Sequence, residues 1–236
     1  MLEIDNLEAE RGIGATTHHV ALPRLRVKSG EMLAITGESG CGKSTVLEVI
    51  GLLLTPRRLE GFRLGNTRLN VADLIKRNDK HALARLRSHN LGFMLQTGGL
   101  LPYLSMHENI ALPRRLQGMP PMDERTRHAI RVLKLETLLD KRPAALSIGE
   151  RQRAAFVRAI AHRPELILAD EPTAALDPDA AVTLFELFMQ IVRELELAAV
   201  VVSHDWKLVQ SLGLRRLEAK TSPGHCSFIM EDEHVG

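Results

Sequence analysis

The sequence predicts an α/β fold: a mostly parallel sheet at the centre, antiparallel strands at the N-terminal end and a helical insertion in the middle. Three observations predict it. Short continuous apolar runs recur at Met32 to Thr36, Leu91 to Leu95, Leu166 to Ala169 and Ala198 to Val202, each followed by a helix-like stretch. Runs of that length are the pattern of strands buried on both faces. Ahead of them, Leu2-Glu3-Ile4-Asp5 and Leu25-Arg26-Val27-Lys28 alternate with a period of two, as half-exposed antiparallel strands do. The segment from about Pro102 to Ala145 reads as helical, punctuated by Pro102, Pro113, Pro120-Pro121 and Pro143.

Alternation of strand and helix on both sides of that segment argues for right-handed crossovers. The 236 residues are therefore read as a single domain, 1–236. Its core is 1–101 and 146–236, with the N-terminal antiparallel strands included, and 102–145 is the helical subdomain. Hydrophobic residues at 44% and charged residues at 25% are ordinary for globular domains and exclude disordered, collagen-like and membrane-barrel classes. With Lys+Arg 31 against Asp+Glu 29, the charge is too balanced for coating nucleic acid, and no nucleic-acid partner is expected. The apolar runs Val49 to Leu54 and Leu197 to Val202 fall far short of the roughly 20 residues a bilayer requires. MLEIDNLEAE lacks the order of a secretory signal. The two cysteines, Cys41 and Cys226, point to the reducing cytoplasm. The ending MEDEHVG reads as an acidic solvated tail.

Gly37-Glu38-Ser39-Gly40-Cys41-Gly42-Lys43-Ser44-Thr45 fits G-x-x-x-x-G-K-[ST] directly after a buried-strand run and before the helical pattern TVLEVIGLL, the context the motif requires. Its glycines let successive N–H groups point at phosphate oxygens, and the helix N-terminus adds partial positive charge. Lys43 is placed to reach the β- and γ-phosphates and Ser44 to put its hydroxyl on Mg²⁺. Further on, Leu166-Ile167-Leu168-Ala169-Asp170-Glu171 is an apolar strand ending in two acids. Successive side chains alternate faces, so Asp170 suits the Mg²⁺ sphere and Glu171 suits a general base.

Together with these, the chain resembles the nucleotide-binding subunits of ATP-binding cassette (ABC) transporters over nearly its whole length. Gln96 follows LGFML as the Q-loop glutamine does. Leu146-Ser147-Ile148-Gly149-Glu150-Arg151-Gln152-Arg153 stands where an LSGGQ-type signature belongs, Ala175-Leu176-Asp177 resembles the D-loop, and His204 ends the last core strand where the switch histidine is expected. Leu91-Gly92-Phe93, Leu100-Leu101-Pro102 and Glu108-Asn109-Ile110-Ala111-Leu112-Pro113 most resemble the lipoprotein-releasing and macrolide-exporting branch.

The resemblance implies an ATPase that binds ATP and Mg²⁺ in a head-to-tail homodimer. Each ATP would lie between the phosphate loop of one copy (Gly37, Ser39, Gly40, Cys41, Gly42, Lys43, Ser44 and Thr45) and Ser147 and Gly149 of the other, with Asp177 also binding nucleotide. Glu171, His204, Gln96 and Lys43 would be catalytic, with Ser44, Gln96 and Asp170 on the metal. It further implies an integral membrane permease as partner, docked near Gln96 and the apolar residues Leu100, Leu101, Tyr103, Leu104 and Met106. The protein would then lie on the cytoplasmic face of the inner membrane, driving export or membrane extraction of a substrate. Two alternatives stand beside it: a regulatory ATP-binding subunit with weak hydrolysis, and a soluble ABC protein outside transport.

The pattern departs from the family twice. No aromatic residue occupies the loop before the second strand; Arg11 stands at that position, with His18 a second candidate for the adenine. Ile148 replaces the first glycine of the signature, where a β-branched residue resists both close approach and an unusual φ. The basic pairs Arg57-Arg58 and Arg114-Arg115 read as solvated surface.

Overall fold

The computed structural model describes residues 1–12, 17–65 and 70–230. Strands β1 (Leu2–Arg11) and β2 (His18–Val27) pair antiparallel from Leu2↔Val27 to Arg11↔His18. Buried Leu2 and Ile4 give way to Leu7 and Ala9, a phase change at Asn6, whose φ is +48°. The opposite strand changes phase at Pro23, so the register survives.

The remaining strands are β3 (Met32–Thr36), β4 (Gly61–Leu64), β5 (Leu91–Met94), β6 (Leu166–Asp170), β7 (Ala198–Val202), β8 (Arg215–Ser222) and β9 (His225–Met230). All nine hydrogen-bond into one sheet in the order β4-β1-β2-β9-β8-β3-β7-β6-β5. Pairing is parallel from β8 through β5, and β8 and β9 form an antiparallel hairpin whose second strand runs parallel to β2. The hairpin thus welds the antiparallel and parallel halves together.

Strand alternation builds two cores. Leu33, Ile35, Leu166, Leu168, Val200 and Val202 face one with helix α1 (Lys43–Ile50), while Met32, Ile167, Ala169, Ala199 and Val201 face the other. The second core receives α4 (Met106–Leu116), α5 (Glu124–Val132), α6 (Ile148–Ala161) and α7 (Pro178–Glu194), where the Phe156 and Phe188 rings stack at 3.9 Å. Helices α2 (Val71–Lys76), α3 (Lys80–Asn90) and α8 (Trp206–Ser211) complete the chain. Among the described residues no helix is long and apolar enough to cross a membrane. The acidic ending beyond Met230 lies outside the described residues.

The segment 102–145 carries α4, α5 and two short 3-10 turns, Glu136–Leu138 and Pro143–Ala145. One expectation is corrected there. Arg114 is not a solvated cation: it is 2% exposed and donates to Pro120 O, Asp123 Oδ2 and Ala161 O at 2.6, 2.7 and 2.8 Å. A buried guanidinium needs that many acceptors, and it ties α4 to the end of α6. Met106 is likewise core rather than surface, whereas Tyr103 is 66% exposed.

Candidate active site

Strand β3 ends at Thr36, and the loop 37–42 returns the chain into α1 at Lys43. Gly42 has φ +102°, and a Cβ there would stand 2.5 Å from Val20 Cγ2. The loop therefore closes down on β2 in a way only glycine allows. Lys43 is buried, and its Nζ donates to Gly37 O at 2.8 Å and Glu38 O at 2.7 Å, inside the curl. An ammonium held by two neutral carbonyls at a helix N-terminus makes a donor set for an anion. Cys41 lies under the loop, buried, with Sγ 3.9 Å from that ammonium; Ser39, Gly40 and Ser44 face outward and Thr45 inward.

Above the loop is a cavity of about 240 Å³ lined by Arg11, Ser39, Gly40, Gly42, Lys43, Ser44, Thr45, Glu171 and His204. Glu171 follows β6 with φ +47°, a conformation costly for a side chain with a Cβ and typical of functional sites. Its N–H is fixed to Val202 O at 3.0 Å. The carboxylate, mostly buried, forms a close ion pair with His204 Nε2 and accepts from Gln96 Nε2 at 3.3 Å. Burial, then the neighbouring charges of Glu171 and Glu48, push the Asp170 carboxyl above the usual range despite His204 and Lys43. Such a carboxylate is short of positive charge, and with the exposed Ser44 hydroxyl it supplies oxygen donors of the kind Mg²⁺ takes alongside phosphate.

Arg11 is held away from free motion by Glu48 on α1, Nη1 to Oε1 2.9 Å, and His18 Nε2 lies 3.3 Å from Cys41 O. Both sit beside the loop. The structure does not bring Ser147, Gly149 or Asp177 to this cavity. Ser147 caps α6 in a reciprocal box with Glu150, at 2.7 and 3.2 Å, and Asp177 caps α7 by accepting from Ala180 N at 3.0 Å.

Ile148 sits in the signature turn without backbone strain. It is the first helical residue of α6, it is absent from the positive-φ positions, and its side chain is 41% exposed. The first turn of a helix accepts a β-branched residue, so the backbone there is unstrained.

Sequence reasoning missed Gln152, which is buried and donates Nε2 to Gln96 O at 2.8 Å, and Arg158, which binds the next glycines of the same loop. Gln152 lies in the signature stretch and Arg158 further along the same helix, and neither position by itself names its partner. Glu48, which anchors Arg11 and raises Asp170, was missed for the same reason.

A family model described as ABC transporter matches residues 23–174. The lipoprotein-releasing system ATP-binding protein LolD of Ruegeria sp. (strain TM1040) is 39% identical over 83% of this chain and 86% of its own length. The methionine import ATP-binding protein MetN 1 of Bacillus cereus (strain ZK / E33L) is 36% identical over 80% of this chain and 53% of its own length. Among solved structures, the dimeric ATP-binding cassette MJ0796 in a post-hydrolysis state with ADP and Pi superposes with a TM-score of 0.75, at 30% identity, over 95% of this chain and 96% of that one.

Proposed function

The chain belongs to the ABC transporter family, and from that premise we propose that it is the ATP-hydrolysing subunit of a transporter, working as a homodimer on a separate integral membrane permease at the cytoplasmic face of the inner membrane. One observation carries the reading: the Glu171 carboxylate stands between Gln96 and His204 at a cavity whose floor is the buried Lys43. In that position Glu171 orients a water and takes its proton. Lys43 and His204 stabilise negative charge on a transferred phosphoryl group. Ser44 and Asp170 would hold Mg²⁺, with Gln96 beside it; the ion supplies charge neutralisation at the phosphates. Arg11 and His18 flank the space for the base, and a guanidinium plane stacks on bases.

The cavity of about 240 Å³ is below the roughly 300–1,000 Å³ of a complete ligand pocket. Ser147 and Gly149, at the N-terminus of α6, do not line it, and in a head-to-tail dimer they would close the site of the other copy. Asp177, capping α7, does not line the cavity either. The dimeric cassette among the structural relatives supports a dimer. Exposed Tyr103 and Leu95 are the side chains offered to the permease. The LolD match, which spans 83% of this chain and 86% of that one, supports extraction or export of a membrane-held substrate.

Steady-state phosphate release by the purified chain, alone and with the membrane protein it captures from solubilised membranes, tests the reading. MgATP turnover is expected in both and is faster in the second. No turnover in either would overturn it.

A further inference from the structure

Helix α3 reads KHALARLRSHN and buries Leu86. Its opposite side carries Lys80, His81 and Arg85, all exposed, and the helix contains no acid. Exposed Arg77, which ends α2, adds a further cation just ahead of it. Lys80 occupies the first turn, where the helix dipole disfavours a positive charge and no acidic residue offsets it. Helix stability alone would favour the reverse choice.

No ion pair or side-chain hydrogen bond engages Arg77, Lys80 or Arg85 among the described residues. The acids nearest in sequence already have partners: Asp79 caps α3 by accepting from Ala82 N at 3.0 Å, and Asp73 accepts from Asn70 Nδ2 at 2.9 Å. On the inner side of the helix Arg87 donates to Leu52 O at 2.8 Å, and Gln117 donates Nε2 to Ser88 O at 2.6 Å. These bonds bring Leu53 and Leu116 beside the C-terminal half of α3. Leu53 is 61% exposed, and Leu116, at 79%, is the most exposed large apolar side chain among the described residues.

Unpaired cations with aliphatic side chains standing out beside them suit an anionic bilayer surface, where phosphates meet the charges and the apolar groups enter the interface. The position agrees with that partner. β5 is the edge strand of the sheet, α3 leads straight into it at Leu91, and Leu95, offered above to the permease, follows its other end. Phe93 of β5 comes within 2.8 Å of where a Cβ on Gly51 would stand, so the turn carrying Leu53 packs on the same edge.

We propose that the exposed side of α3, with Arg77, Lys80 and Arg85 as its cations and Leu53 and Leu116 beside them, is a contact surface for anionic lipid headgroups of the membrane that holds the permease. The inference rests on the transporter reading above only for which edge faces the membrane. A cation at an anionic membrane surface strengthens binding about fivefold, so three give about a hundredfold, which suits a reversible contact.

Vesicle flotation of the purified chain tests it. At low salt the chain is expected to bind vesicles of phosphatidylcholine with about 30% phosphatidylglycerol, to ignore pure phosphatidylcholine, and to be released as added salt shortens the Debye length. Lys80→Gln combined with Arg85→Gln keeps good helix formers and should weaken that binding about 25-fold, two fivefold steps. Leu116→Ser should weaken it severalfold, and ATP binding in solution should be unchanged in both. Failure of the wild type to bind the anionic vesicles, equal binding to both vesicle types, or undiminished binding by either variant would overturn the proposal. Undiminished vesicle binding together with lost capture of the permease from solubilised membranes would assign the face to an acidic protein partner instead. Vesicle binding as expected in a chain that never hydrolyses ATP would overturn the ATPase reading and leave this surface standing.

Discussion

Replacing Glu171 by glutamine removes a proton acceptor while keeping shape. The glutamine Oε1 can still accept from Gln96 Nε2, which approaches the carboxylate at 3.3 Å, and its amide can face His204. The left-handed backbone at φ +47° suits glutamine no worse than glutamate. The lost ion pair involves a His204 side chain that is 45% exposed, and such pairs contribute at most about 1 kcal/mol, so folding should be almost unaffected. Loss of a general base costs about 10²–10⁴ in rate, or about 3–5 kcal/mol on the barrier. The phosphate contacts around Lys43 are untouched. Glu171→Gln should therefore lower kcat by at least a hundredfold, bind ATP as the wild type does, and accumulate a dimer in ATP. Phosphate release, equilibrium nucleotide binding and size-exclusion chromatography read the three quantities. Turnover at the wild-type rate would mean that Glu171 is not the base.

Asp170→Asn should raise the melting temperature of the nucleotide-free protein at pH 7 and weaken MgATP binding. Because the folded carboxyl titrates above its ordinary 3.8, native stability falls as pH rises through that interval, and the amide removes the penalty; an unchanged melting curve with intact metal-dependent binding would refute this. Gly42→Ala places a methyl 2.5 Å from Val20 Cγ2 at φ +102° and should cost about 1–3 kcal/mol of stability together with nucleotide affinity, measurable by denaturant titration. The Cys226 thiol, fully buried and pushed up to about 12 by burial and by Cys41, should resist maleimide at pH 8 until the chain unfolds; labelling at the rate of a free thiol would contradict the packing. Ile148→Gly should raise kcat with little change in ATP affinity, since the exposed side chain adds bulk beside Ser147 and Gly149 where the second copy must approach. A fall in kcat would assign Ile148 a structural contact instead.

The site was legible where chemistry sits on consecutive residues. A phosphate loop needs its glycines, Lys43 and Ser44 in one turn, and a strand-end acid pair needs only adjacency, so both were readable along with the strands that precede them. The fold was less so where pattern and burial diverge. β1 and β2 reveal only half their alternation because the buried phase changes at Asn6 and Pro23. The β8–β9 hairpin was not read at all, although Cys226, Phe228 and Met230 alternate as buried residues after the turn at Gly224. A basic pair such as Arg114-Arg115 carries no local sign that one member will find two acceptors just beyond its own helix and a third at Ala161.

The same limit applies to the contact between Gln96 and Gln152, and it has a physical cause. Gln96 and Gln152 are 56 positions apart, and the donor's partner is a main-chain carbonyl, which every residue possesses. Side-chain chemistry at either end therefore carries no information about the pairing. What selects it is the path of the chain: β5 and β6 lie side by side in the sheet, so the loop leaving β5 and the helix entering β6 meet. Motifs identify the groups suited to phosphate, whereas topology decides which groups meet, and a site shared between two copies of the chain would depend on both.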